Sequence, residues 1–149
     1  MGPRSVLFLC VENACRSLMA ESMFNADPPL GWRATSAGTR PAETPNPRTG
    51  DMLREIGLAL PAHRPQLLTT DLSDGAGVRV TMGCLDDASC PARLKSLQLR
   101  DWALPDPAKL DDEGFRQVRD RLQKLVQELR IELSRPTSSE FDPAEFGRR

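Results

Sequence analysis

Apolar residues run without interruption from Val6 to Leu9, which predicts a strand over residues 5–10 buried on both faces. Directly after it, Met19, Ala20, Met23 and Phe24 recur at helical spacing, predicting an amphipathic helix that ends at the Asp27-Pro28-Pro29 breaker. Residues 32–36 read as a short second strand closed by Ala37-Gly38. Asn46-Pro47 then supplies an N-cap with proline at the first helical position, opening a helix that turns Met52, Leu53 and Ile56 inward and stops at Gly57. Residues 78–82 read as a third strand and residues 98–102 as a weaker fourth, with a stretch of loop composition, 83–91, between them. The longest helix is expected over residues 111–134. Its stripe is Phe115, Val118, Leu122, Leu125, Leu129 and Leu133, with Arg116, Asp120, Arg121, Lys124 and Glu128 elsewhere around it. That stripe is too short for a coiled-coil seam and reads as core packing. Strands alternating with helices in so short a chain imply a small three-layer α/β domain with a mostly parallel sheet, spanning residues 1–134. Residues 135–149 are rich in breakers and poor in aliphatics, and are expected to be a flexible tail.

Length and charge narrow the function. A chain of 149 residues suits one domain with a real core, and a formal charge of −1 leaves no electrostatic footprint for nucleic acid or an anionic membrane. A small-molecule or protein partner is expected, and a monomer. Arg4 before the apolar run imitates a signal peptide, but Glu12 cuts the run short and no other segment approaches membrane-spanning length. The expected compartment is therefore the cytosol, where thiols stay reduced. The four cysteines, Cys10, Cys15, Cys84 and Cys90, then read as reactive or metal-binding rather than as structural disulfides. Their C-x4-C and C-x5-C spacings do not match a zinc knuckle.

What changes the picture most is the junction Cys10-Val11-Glu12-Asn13-Ala14-Cys15-Arg16-Ser17, between the buried strand and the first helix. A loop of this length can curl so that the amides from Val11 to Ser17 point inward, a nest for a tetrahedral oxyanion at a helix N-terminus. Cys10 beneath that anion is a nucleophile whose thiol is acidified by those amides, the helix dipole and Arg16. Arg16 offers a planar fork for two oxygens, Ser17 a hydrogen bond to the sulfur, and Asn13 tolerance for a left-handed turn. Cys15 reads as a buried loop thiol, His63 as a packing or capping residue, and Trp102 as an anchor to the core. An inward Glu12 carboxylate would repel the anion, so Glu12 is expected to face outward.

The run 6–17 with Met19-Ala20-Glu21 resembles the low-molecular-weight protein tyrosine phosphatase superfamily and, within it, the thioredoxin-coupled arsenate reductases. Thr35-Ser36-Ala37-Gly38-Thr39, Val80-Thr81-Met82-Gly83-Cys84, Cys90-Pro91 and the segment 101–107 extend the resemblance. It implies a four-stranded parallel sheet flanked by helices, with Asp106 of Asp106-Pro107 as the general acid. Arsenate is then the implied substrate and arsenite the product, with phosphate or sulfate as mimics. Cys84 followed by Cys90 would be the thiol relay, although Cys84 lies one residue later than the Val-Thr-x-Cys of that class. No tightly bound cofactor is implied. The reductant is an external thiol, the thioredoxin and NADPH system or else a glutaredoxin-type or low-molecular-weight thiol. Asn13, Glu21 and Ser36 match positions that hold potassium in some relatives, but Gln66 stands where an acidic ligand is expected. The other readings are a phosphatase working through a phosphocysteine and a non-enzymatic oxyanion or arsenic sensor. The absence of tyrosine argues against an aryl substrate.

Overall fold

The inner strand β1 (Arg4–Cys10) is buried as its composition requires, with Val6, Leu7, Phe8 and Leu9 each 0% exposed. The structure, a computed structural model, describes residues 4–83 and 98–135. β1 pairs in parallel with β2 (Trp32–Gly38) along its whole length, from Arg4↔Trp32 to Cys10↔Gly38. On its other side it pairs in parallel with β3 (Val78–Thr81), which in turn carries the two-residue β4 (Arg100–Asp101). The sheet is four-stranded and parallel in the order β2-β1-β3-β4. Its strands therefore all end at one edge, where ligands meet open parallel sheets.

Alternation along β1 builds two cores. Val6, Phe8 and Cys10 face α1 (Arg16–Ala26), α2 (Pro47–Arg54) and α4 (Asp112–Ser134) through Met19, Phe24, Leu53, Phe115 and Leu122. Leu7 and Leu9 face the opposite way, onto Ala37 and Ala76 with Leu68, Leu72 and Leu99 around them. The second core lies under α3 (Thr70–Gly75), a helix absent from the sequence expectations. Thr69 caps it by accepting from Leu72 N at 3.2 Å. Trp102 is half-buried against the first core, its ring centroid 5.7 Å from that of Phe8, so it anchors the chain after β4 as expected.

The start of α2 follows the predicted chemistry, and α4 begins one residue later than expected, with Asp111 as its N-cap. Asn46 Oδ1 accepts from Arg48 N at 2.9 Å ahead of Pro47, and Asp111 Oδ1 accepts from Gly114 N at 2.9 Å. The α4 stripe needs correction. Val126 is fully buried while Leu125 and Leu133 are only partly so, and Arg119 lies inside the stripe. Arg119 is tolerated there because its guanidinium donates to Met52 O at 3.1 Å and to Glu55 Oε1 at 2.5 Å, leaving no donor stranded on that side. β4 is shorter than expected: it pairs with β3 only through Arg100 and Asp101, and β3 stops at Thr81, short of a partner for Trp102. Among the described residues no helix is long and apolar enough to cross a membrane. Cys84 and Cys90 lie outside the described residues, as does the expected tail from residue 136 onward.

Candidate functional site

Where β1 ends, Cys10 and the loop that follows form one wall of a pocket of about 520 Å³ at the carboxyl edge of the sheet. The loop turns because Asn13 adopts a left-handed backbone, φ 52°, as its residue type allows. Asn13 is wholly buried and is held from both ends. Its Nδ2 donates to Ser17 Oγ at 2.7 Å, and its Oδ1 accepts from Gln66 N at 3.0 Å. Ser17 Oγ in turn lies 2.9 Å from Cys10 Sγ. With Asn13 already donating to the hydroxyl oxygen, the serine's own proton is available to the sulfur, an arrangement suited to a sulfur that carries negative charge. The N-cap of α1, Cys15, makes no side-chain hydrogen bond to the first-turn amides, which leaves that helix end open to an anion.

Arg16 is 7% exposed and divides its guanidinium between two tasks. Nη1 donates to Met82 O at 3.1 Å and to Leu104 O at 2.7 Å, tying the first turn of α1 to the chain after β3 and after β4. Nε is buried with no hydrogen-bond partner among the described residues, although Arg16 lines the pocket. An unpartnered buried donor costs about 1–3 kcal/mol, a cost that a bound anion would remove. Sequence reading named Arg16 as a fork for an anion and did not name the carbonyls that hold its guanidinium.

Asp106 lies on the opposite side of the pocket, half-buried, with Oδ1 accepting from Ala108 N at 3.0 Å. Asp106 thus both caps the 3-10 turn Pro107–Lys109 and lines the site. Lys109, Asn46 and Gly83 complete much of the remaining wall, and no aromatic side chain lines it among the described residues. Glu12 is solvent-exposed while contributing to the same wall. Gly83, with φ 77°, approaches Ala103 so closely that a Cβ would overlap its backbone, and it immediately precedes Cys84 in the chain.

The other candidates are placed as follows. Cys15 is buried, and that burial, offset in part by a hydrogen bond with Thr49, pushes its thiol up to about 11. At neutral pH it is a thiol rather than a thiolate. Iodoacetamide near pH 7 is expected to leave Cys15 unmodified, which peptide mass spectrometry would read. Glu21 accepts from Ser36 Oγ at 2.6 Å and pairs with His63 Nε2 at 2.8 Å. His63, for which the sequence offered no motif, is thus a partner of a buried carboxylate. Burial would lower its pKa, but the Arg64 carbonyl and the Glu21 carboxylate outweigh it and raise it. The side chains of Asn13, Glu21 and Ser36 are all committed to internal hydrogen bonds, and no cluster of three His, Cys, Asp or Glu ligands occurs among the described residues.

Gly38 was not singled out from the sequence as a site residue, yet it packs against the loop. A Cβ there would overlap the Val11 carbonyl and crowd Asn13 N at 3.0 Å, both backbone atoms that cannot swing aside. Gly38→Ala is expected to cost about 1–3 kcal/mol in a denaturant melt and to weaken phosphate binding, since relief comes only by shifting the loop.

Comparison with known proteins agrees with this geometry. The family profile described as low molecular weight phosphotyrosine protein phosphatase matches residues 5–139. Arsenate reductase 1 of Staphylococcus epidermidis is 29% identical over 127 residues, covering 85% of this chain and 96% of that protein. The thioredoxin-dependent arsenate reductase of Corynebacterium glutamicum superposes with a TM-score of 0.71 at 29% identity, over 90% of this chain and 64% of that one. An arginine phosphatase from Geobacillus stearothermophilus superposes with a TM-score of 0.74 at 25% identity, over 88% of this chain and 93% of that one.

Proposed function

The chain belongs to the low molecular weight phosphotyrosine protein phosphatase family, and from that premise we propose that it is an arsenate reductase that spends two of its own thiols per turnover. Arsenate sits in the amide nest with Arg16 against its oxygens. The Cys10 thiolate attacks arsenic, an S–As bond forms, and the departing oxygen leaves as water after protonation by Asp106. A second thiolate then attacks Cys10 Sγ. The S–S bond forms as the S–As bond breaks, its electron pair stays on arsenic, and arsenite leaves with arsenic reduced by two electrons. Cys84 is that second thiol and Cys90 the third, which takes over the disulfide and presents it to an external dithiol. Thioredoxin is the reductant this reading favours, because a thioredoxin-dependent arsenate reductase is among the relatives.

One observation carries the choice of substrate. The pocket around Cys10 has no aromatic wall among the described residues to grip a phosphotyrosyl ring, and its Gly83 is bonded directly to Cys84. A small inorganic oxyanion with a neighbouring thiol fits those walls better than an aryl ester. The test is arsenite production coupled to NADPH oxidation through thioredoxin and thioredoxin reductase. Arsenate-dependent NADPH consumption is expected, and its absence alongside robust hydrolysis of aryl phosphates would overturn the reading. Mass spectrometry after one turnover without reductant should find a Cys84–Cys90 disulfide. A bond from Cys10 to either would mean a shorter relay, and a mixed disulfide with an external thiol a different reductant.

The phosphatase reading is kept by one observation, the similarity to an arginine phosphatase combined with a pocket carboxyl at Asp106. It differs in needing only water for its second step. Under it, Cys84→Ser and Cys90→Ser leave turnover intact, whereas the reductase loses multiple turnover with either.

A further inference from the structure

The two halves of the site, the Cys10 loop and the turn bearing Asp106, are far apart in the chain, and the start of α2, outside both, bonds to each. Arg48 sits in the first turn of α2 and spreads its guanidinium across the acid-bearing turn. Nη2 donates to Pro107 O and to Ala108 O, each at 3.2 Å, and Nη1 donates to Leu110 O at 2.9 Å and to Asp112 Oδ1 at 3.2 Å. Its Cζ also lies 4.9 Å from the ring centroid of Phe115, a fully buried residue of α4. The flanking residues face the other way. Asn46 N donates to Ala14 O at 3.1 Å, and Thr49 Oγ1 donates to the same carbonyl at 2.8 Å. The start of α2 is therefore bonded to the nucleophile loop through Asn46 and Thr49 and to the acid turn through Arg48.

We propose that Arg48 is a positioning residue for the general acid, holding the turn Pro107–Lys109 so that the Asp106 carboxyl stays over the anion site that Cys10 and Arg16 define. The proposal rests on the reading of Asp106 as the acid. The guanidinium suits the task because one planar group reaches three carbonyls and a carboxylate at once, whereas an ammonium is a compact point charge. Asp106 already spends one oxygen on Ala108 N, so its direction depends on where the turn lies. Arg48 sets where the turn lies without touching substrate.

The test is a double-mutant cycle on kcat/KM for arsenate in the reductase assay, with Arg48→Met, Asp106→Asn and the pair. Asp106→Asn should cost about 10²–10⁴-fold, the usual worth of a general acid. Arg48→Met should cost about 10–100-fold, as misplacing a reacting group by an ångström does. The pair should be no slower than Asp106→Asn alone to within about twofold, since a displaced acid has nothing left to lose. The alkaline limb of the pH profile, where the protonated acid is lost, should flatten in both single variants. Inorganic phosphate should bind Arg48→Met with unchanged affinity, because Arg48 does not line the cradle.

Additive losses, an unchanged alkaline limb, or phosphate affinity that falls along with kcat/KM would each overturn the proposal and leave Arg48 a general support of the fold. A silent Asp106→Asn removes the acid reading and Arg48 with it, while a slow Asp106→Asn beside a silent Arg48→Met removes only Arg48. Arg48→Lys, which keeps the charge but not the fork, guards against a methionine variant that does not fold. It should fall between wild type and Arg48→Met in rate and pH profile, and wild-type behaviour in it would overturn the fork argument.

Discussion

Cys10→Ser is expected to abolish arsenate reduction, with a loss of about 10⁴-fold or more, while inorganic phosphate still binds. The asymmetry between chemistry and binding follows from what each uses. The reaction needs a sulfur that can first bond arsenic and then leave as half of a disulfide. A serine oxygen can do neither at neutral pH, and Cys15 cannot substitute. Cys15, the other described thiol nearby, is buried and pushed up to about 11, so it offers almost no thiolate. Binding uses the loop amides, the start of α1 and Arg16, none of which the substitution removes. The hydroxyl keeps a partner in Ser17 Oγ, which lies 2.9 Å from the sulfur it replaces. Phosphate titration calorimetry with the coupled NADPH assay separates the two quantities. Residual turnover would mean that another thiol starts the reaction, and lost phosphate binding would mean that Cys10 holds the loop open rather than acting within it.

What could be read from the chain before its structure was what has a local signature. The oxyanion loop needs a residue that accepts a left-handed turn, a hydroxyl within reach of the sulfur and a strand feeding a helix. Asn13, Ser17 and the run from Val6 meet those demands within a short stretch of sequence. The N-cap at Asn46 is legible for the same reason. What stayed hidden depends on partners distant in the chain. Met82 and Leu104, which aim Arg16, are 66 and 88 residues away from it, and no spacing rule connects them. His63 meets Glu21 across 42 residues. α3 escaped notice because Thr70-Asp71-Leu72-Ser73-Asp74-Gly75 has one large apolar residue and so no helical period to detect. Arg119 went unnamed, since the Met52 carbonyl and Glu55 that permit its burial lie more than sixty residues away in the chain.

Arg16→Lys is expected to lower kcat/KM for arsenate by about 10²–10³-fold, as removing one preorganised oxyanion donor does elsewhere, and to weaken phosphate binding as well. The charge is conserved, so the loss must come from geometry. In the native site one edge of the guanidinium is committed to protein, with Nη1 shared between Met82 O and Leu104 O, while Nε is a buried donor with no partner among the described residues. A lysine ammonium carries three donors on one nitrogen, so it cannot stand at the two carbonyls and in the anion cradle together. If it stays with the carbonyls, the anion loses its fork. If it moves toward the anion, the Leu104 carbonyl loses its guanidinium donor at about 1–3 kcal/mol, while Met82 O keeps the Leu104 amide at 3.1 Å, and the chains after β3 and β4 lose their tie to α1. Those chains carry Gly83 and Asp106, so the second outcome also disturbs the walls of the pocket. A denaturant melt tells them apart, because stability is kept in the first case and falls in the second. Near-native activity in Arg16→Lys would mean that the fork is dispensable and that the amide nest alone holds the anion.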